Sequence, residues 1–222
     1  MRPANSRISR AFLRNVAAAL WAMLAALTML SAGPAHADEP WVLVAKARSP
    51  SEVSLWTRFV SGQQMKQFRG ETYTTASGSQ ALAAILETTT LSQWLWRCEQ
   101  ARIVRQISED EYVLYLKFNA FWPLDDRDAV LRVMIQRGAQ EGLTTLTGTA
   151  LPEEIPAVDG VVRVPAIAAS FSISPEKQGT RIGMTGHFDP GGVIPVWAAN
   201  LVVTVFPKYS LSRFRSQLEE SR

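Results

Sequence analysis

The 222-residue chain has one cysteine, Cys98, and two histidines, His36 and His187. A single cysteine closes no intrachain disulfide, so stability is expected to come from packing. Cys98 follows Trp94 and Trp96, a setting that predicts a buried, unreactive thiol. Two histidines so far apart cannot form an H-E-x-x-H zinc site. A G-x-S-x-G nucleophile elbow, a P-loop and a G-x-G-x-x-G fingerprint are all missing, which removes the common signatures of acyl transfer and nucleotide binding. Charge is sparse, at 19% of residues, with a net of +3. Four arginines and no acids fall in residues 1–37, so residues 38–222 hold nineteen cations against twenty acids, a net of −1. The basic surplus therefore belongs to the N-terminus. It gives no footprint for nucleic-acid binding and no generally cationic face for membranes.

The N-terminus itself has three parts. Arg2, Arg7, Arg10 and Arg14 precede an uncharged run from Val16 to Leu30, and Ala35-His36-Ala37 then offers small residues to a signal peptidase. The reading is a signal peptide, residues 1–37, cut before Asp38, with a periplasmic or secreted product. The apolar run falls short of the roughly 20 residues that a spanning helix needs, and Gly33-Pro34 would break a helix there. No cysteine stands at the cleavage site to be lipidated, and no Arg-Arg pair marks the twin-arginine route. Residues 38–222 suit one domain with a substantial core, and no repeat or long linker divides them.

Alternation at period two predicts strands at Val53–Phe59 and Met65–Thr75. Ser79 is a candidate cap for a helix over Gln80–Glu87, followed by a second short helix over Leu91–Arg97. Strands resume at Ala101–Ile107, Glu111–Ala120, Asp128–Arg137, Gly142–Ala150, Val161–Val164, Ala169–Ser174 and Arg181–Phe188, in hairpin spacing that predicts an antiparallel sheet. Pro195 to about Leu218 reads as the longest helix, with a kink or break at Pro207. The predicted class is α+β: a long curved antiparallel sheet around one long C-terminal helix, with two short helices inserted after the first strands.

Several stretches carry more than periodicity. Asp125, Asp126, Arg127 and Asp128 follow Trp122-Pro123 and read as a structural turn, with Arg127 paired to one of the acids. A calcium loop would need more oxygen ligands and a turn glycine, so no metal is expected. Gly191 and Gly192 allow positive φ where a strand turns into the long helix, and Pro195 suits its first turn. A hinge and a plain tight turn both fit there. Together with Phe68-Arg69-Gly70-Glu71 and the Trp94…Cys98 segment, the stretches Phe121 to Val130 and Asp189 to Asn200 resemble the START (steroidogenic acute regulatory protein-related lipid-transfer) family. The resemblance is strongest to its bacterial single-domain members and covers residues 38–220. It implies a helix-grip fold with one lipid-like molecule in an internal cavity. It further implies no cofactor, no catalytic role, a transient membrane contact and a monomer.

Alternation places Tyr112, Leu114, Leu116 and Phe118 on one face, then Leu131, Val133 and Ile135, then Ile182, Met184 and Phe188. With Trp197 and Leu201 from the long helix these are the candidate cavity walls, and Gly191, Gly192 and Pro207 the candidate gate. His187 alternates to the other side. A solid core would show the same pattern. Sterol-binding members of the family carry an acid and an arginine on adjacent central strands, and Leu114 and Val133 stand there, which favours a more uniformly apolar ligand. An enzyme on the same scaffold and a ligand-gated interaction module remain alternatives. Intact-mass analysis of the exported protein is expected to give a chain that begins at Asp38. A mass retaining residues 1–37 would contradict the signal.

Overall fold

In this computed structural model, residues 39–49, 51–138 and 142–220 are described; the expected signal lies outside them. Three strands open the described chain: β1 (Val42–Ala45), β2 (Ser54–Arg58) and β3 (Gln67–Thr74). Two short helices follow, α1 (Gly78–Leu86) and α2 (Leu91–Trp94), separated by a 3₁₀ turn at Thr88–Thr90. Then come β4 (Cys98–Ser108), β5 (Glu111–Phe118), β6 (Asp126–Arg137), β7 (Thr144–Ala150), β8 (Val161–Arg163), β9 (Ala166–Glu176) and β10 (Gly179–Asp189), and finally α3 (Val196–Glu220). The sheet runs β1-β2-β3-β10-β9-β7-β6-β5-β4, with β8 beside β6. Every pair is antiparallel except the three-residue match of β6 with β8. This is the expected α+β helix-grip.

Local chemistry moves several boundaries. Ser77, not Ser79, caps α1: its Oγ accepts from the Gln80 amide at 3.2 Å, and Gln80 Oε1 accepts from the Ser77 amide at 2.8 Å. That reciprocal box needs a Gln or Glu three residues on, which Ser77 has and Ser79 lacks. The second helix stops at Trp94 rather than Arg97, because Arg97 adopts φ +60° and turns the chain into β4. The expected Asp125–Asp128 turn is shorter, since Asp126, Arg127 and Asp128 already pair with β8 as part of β6. Asp126 Oδ1 accepts from the Ala120 amide at 3.0 Å, while Arg127 donates to the Asp125 carbonyl rather than to a carboxylate. β1 falls where no strand was expected.

The long helix runs unbroken through Pro207. It packs along β3, reaching β2 and β10, while α2 packs on β4. Gly70 makes the close seat possible: a Cβ there would stand 2.8 Å from Leu211 Cδ1 and 3.4 Å from Pro207 Cβ. Polar ties hold the helix along its length. Asn200 Oδ1 accepts from the Lys66 amide at 2.9 Å, Ser210 Oγ from the Trp96 amide at 3.0 Å, and Arg215 Nε donates to the Tyr73 carbonyl at 3.2 Å.

On the sheet's outer face, Val113, Tyr115 and Val130 form a small second core beneath Leu151 and Ile155. Its cover is fastened by Arg163, which donates to both Asp128 oxygens (2.7 and 3.0 Å) and to the carbonyls of Pro152, Ile155 and Pro156 (2.5, 3.1 and 3.1 Å). Asp128 is fully buried. Removing one partner strands the other charge away from water. Arg163→Met is therefore expected to lower unfolding free energy by about 3–5 kcal/mol in urea titrations, and Asp128→Leu in the same chain to recover much of it.

Candidate functional site

The inner face of the sheet can be read row by row from the strand registers. One row is Tyr112–Val133–Gly148–Ala169–Gly186–Phe68, across β5, β6, β7, β9, β10 and β3. A neighbouring row is Ile135–Leu146–Phe171–Met184–Gly70. In the first row the middle three residues carry at most a methyl group. A Cβ added at Gly148 would meet only Leu131 Cδ1, at 3.6 Å, whereas at Gly186 the Phe68 ring already covers the position at 2.6 Å. Gly148 and Ala169 thus leave the middle of the inner face low. The sequence names these residues but not their neighbours, so the row was invisible before the register was known.

Ten of the twelve predicted wall residues meet on this face. Tyr112, Leu114, Leu116, Leu131, Val133, Ile135, Ile182 and Met184 belong to the main core, and Phe118 and Phe188 pack against it. Their burial is graded. Tyr112, Leu114, Leu116, Leu131, Val133 and Ile135 each keep 5–7% of their surface accessible, whereas Val113 and Val130, turned to the outer face, keep 0 and 1%. Near the C-terminal end of α3 the interior is sealed, with Ile173, Ile182, Leu211 and Phe214 fully buried. Trp94 closes that end, with ring centroids 5.8 Å from Phe171 and 4.7 Å from Phe214. Toward the helix's N-terminal end, Phe118, Ala150, Ile167 and Phe188 are only half-buried.

Trp197 and Leu201 are not walls. They are 74 and 58% exposed, and the face that α3 turns to the sheet carries Ala199, Val203, Pro207, Ser210, Leu211, Phe214 and Leu218. Proline at 207 does not mark a weak point either, since it is buried in the seat over Gly70. Gly191 and Gly192 do adopt positive φ, +65° and +67°. A left-handed pair is nearly free for glycine and strained for other residues.

A rim surrounds the half-buried end. The β5–β6 turn presents Trp122, almost wholly exposed, and Phe121. The loop into α3 presents Val193, and the helix's first turns present Val196, Trp197 and Leu201. Arg97 fixes the turn beneath Trp122: it donates to the Asn119 and Ala120 carbonyls (2.5 and 2.6 Å) and lies 4.0 Å over the Phe121 ring. Phe206 joins helix to sheet here, 6.1 Å from Phe68 and 6.2 Å from Phe118. Arg127 sits at the same end, opposite Phe118 on the neighbouring strand, with its Nε buried and without a partner among the described residues. Burial lowers its pKa, partly offset by Asp125 and Asp126.

The walls named above carry one titratable group, Tyr112, whose phenol burial pushes up to about 12. Cys98 is buried in the core with its thiol pushed up to about 12 by the same cause, which suits an unreactive group. His187 lies half-buried on the opposite side of β10 from Ile182 and Met184. Among the described residues no three His, Cys, Asp or Glu side chains are grouped to hold a metal ion. A surface depression of about 380 Å³ between Gln93 and the last turns of α3 is lined by Ser212, Arg213 and Glu220 and lies beyond the sealed end.

The sequence matches the START domain family over residues 22–219. It is 30% identical over 199 residues to PA1579 of Pseudomonas aeruginosa, covering 89% of this chain and 96% of that protein. Among solved structures, a STAR-related lipid transfer protein of Xanthomonas axonopodis (fragment 25–204) superposes with a TM-score of 0.74 at 26% identity. That match covers 82% of this chain and 99% of the other. Human StAR-related lipid transfer protein 5 shares the fold with a TM-score of 0.68 at 19% identity, covering 94% of this chain and 97% of the other. The graded inner face, the low row at Gly148 and Ala169 and the glycine-led entry into α3 thus sit on a known scaffold, and the chain belongs to the START domain family.

Proposed function

We propose that this protein binds one hydrophobic, lipid-like molecule between α3 and the inner face of β5–β7, and exchanges it at a membrane surface after export. The observation that carries the reading is the residual accessibility of Tyr112, Leu114, Leu116, Leu131, Val133 and Ile135. Val113 and Val130, packed under the outer cover of the same strands, keep 0 and 1%. Walls that border a void keep a little surface. The seat of α3 lies mainly on β3, β2 and β10, with Phe206 reaching β5 at Phe118, and Gly148 and Ala169 deepen the space beside it. The lipid-transfer name of the Xanthomonas axonopodis relative agrees with this use.

The energetics need no chemistry. Each buried methylene contributes about 0.8 kcal/mol, so a chain of roughly 16 carbons faces a barrier on the order of 12 kcal/mol to cross water unaided. An apolar chamber offsets that barrier. The walls offer one neutral phenol and no acid–base pair, which supports a carrier over an enzyme. Among the described residues no helix is long and apolar enough to cross a membrane. The exposed rim instead supplies Trp122, Val193, Trp197 and Leu201 for shallow insertion.

Entry follows from what is fastened. Arg163 holds Pro152–Pro156, and Arg97 holds the β5–β6 turn. The Gly191–Gly192 loop and the first turns of α3 form the door in this reading, with Trp197 on its outer surface rather than in the chamber.

Val133→Asp places an unpaired carboxylate in the wall, a change costing several kcal/mol or forcing its protonation. Lipid co-purified with this variant is expected to vanish from native mass spectra while circular dichroism remains that of a folded protein; full occupancy in the folded variant would remove the wall assignment. Trp122→Ala with Trp197→Ala is expected to reduce vesicle flotation about tenfold or more while leaving ligand occupancy intact. Unchanged flotation would place the membrane contact elsewhere.

A further inference from the structure

The inner walls hold one polar group that the apolar-cavity reading does not use. Tyr112 lies on the inner face of β5, buried, opposite Val133 and beside the low row that continues through Gly148 and Ala169. No hydrogen bond to its hydroxyl occurs among the described residues, and desolvation alone displaces its pKa. The hydroxyl is not among the buried polar atoms cut off from water, so it borders accessible space. Phenylalanine would fill the same volume without placing a donor and an acceptor at that point.

We propose that Tyr112 is the polar anchor of the ligand site, and that the ligand is a hydrophobic molecule with one uncharged hydrogen-bonding group, an alcohol, ketone or ester, at its leading end. The proposal rests on the ligand-binding reading above. A phenol both donates and accepts, so it serves a hydroxyl or a carbonyl equally. It offers no positive charge, and the neighbouring walls Leu114, Leu131, Val133 and Ile135 offer none either. A carboxylate or phosphate drawn to this point would lose its hydration without compensation.

The position also sets an orientation. Tyr112 stands six residues along β5 from Phe118 at the rim, on the order of 20 Å of strand. The polar end of the ligand travels in first and the apolar tail trails toward the mouth. Arg127 Nε, buried without a partner among the described residues, stands opposite Phe118, six residues along β5 from Tyr112, and Trp94 Nε1 cannot share this role either. It has no surface that a water-sized probe can reach, and Phe171 and Phe214 pack on its ring.

The test compares delipidated wild type with Tyr112→Phe, using 1-dodecanol, dodecane and dodecanoate as probes in displacement of a fluorescent apolar dye at pH 8. Near-UV circular dichroism verifies that the variant keeps its packing. Tyr112→Phe is expected to weaken dodecanol roughly three- to tenfold, the usual net worth of one hydrogen bond, and to leave dodecane unchanged or tighter. Wild type is expected to bind dodecanoate more weakly than dodecanol. If both neutral probes bind and the substitution leaves their ratio unaltered, the Tyr112 assignment fails while the cavity stands. Equal or tighter binding of dodecanoate overturns the uncharged class. If neither neutral probe binds wild type, the ligand-binding reading falls, and the anchor with it.

Discussion

At Gly70 the long helix touches the backbone of β3, with Leu211 and Pro207 in the space a side chain would fill. The other layers take their positions from that contact. α3 packs chiefly along β3, with β2 and β10, and reaches β5 through Phe206 on Phe118. The inner-face residues of β5 and β6 named above keep 5–7% of their surface accessible. The same seat explains why a helix with proline in its middle stays whole. The missing amide bond lies in the best-packed stretch, where Val203, Ser210, Leu211 and Phe214 surround Pro207 on the buried face.

The two ends of α3 then differ in kind. The C-terminal half is held by aromatic packing of Phe214 with Trp94 and Phe171 and by Arg215 on Tyr73. The N-terminal half is tied by Asn200 to Lys66 and by Phe206 on Phe68 and Phe118, and presents Val196, Trp197 and Leu201 outward. Motion that admits a ligand costs least where contacts are few. Neighbouring loops are held by charged clamps that bond carbonyls, Arg97 under the Trp122 turn and Arg163 under Pro152–Pro156. Guanidinium groups suit this work because several donors in one plane satisfy several acceptors at once.

Much of the inner face was legible in advance because alternation along a strand is a local property. Tyr112, Leu114, Leu116, Leu131, Val133 and Ile135 were assigned to one side from parity alone, and the core contains all six. The helix was harder. Trp197 and Leu201 are apolar and four apart, a spacing that looks like a buried stripe, yet the buried stripe runs through Ala199 and Val203. An apolar rim and an apolar core obey the same periodicity, and only the partner surface separates them. The acidic run was legible in part. Asp126 holds a turn amide, that of Ala120, but Asp128 serves Arg163, a residue that no sequence spacing associates with it.

By itself the sequence determined the alternating faces, the glycine pair ahead of α3, the lack of a metal or nucleophile signature and the resemblance to one family. Each is encoded by neighbours within a few residues or by a motif. Tertiary structure decided which strands stand side by side, and so that Gly148, Ala169 and Gly186 share a row with Tyr112. It also decided which side of α3 meets the sheet. Register and helix rotation are settled by contacts between residues far apart in the chain, so the low row at Gly148 and Ala169 and the place of Tyr112 beside it could emerge only once those contacts were made.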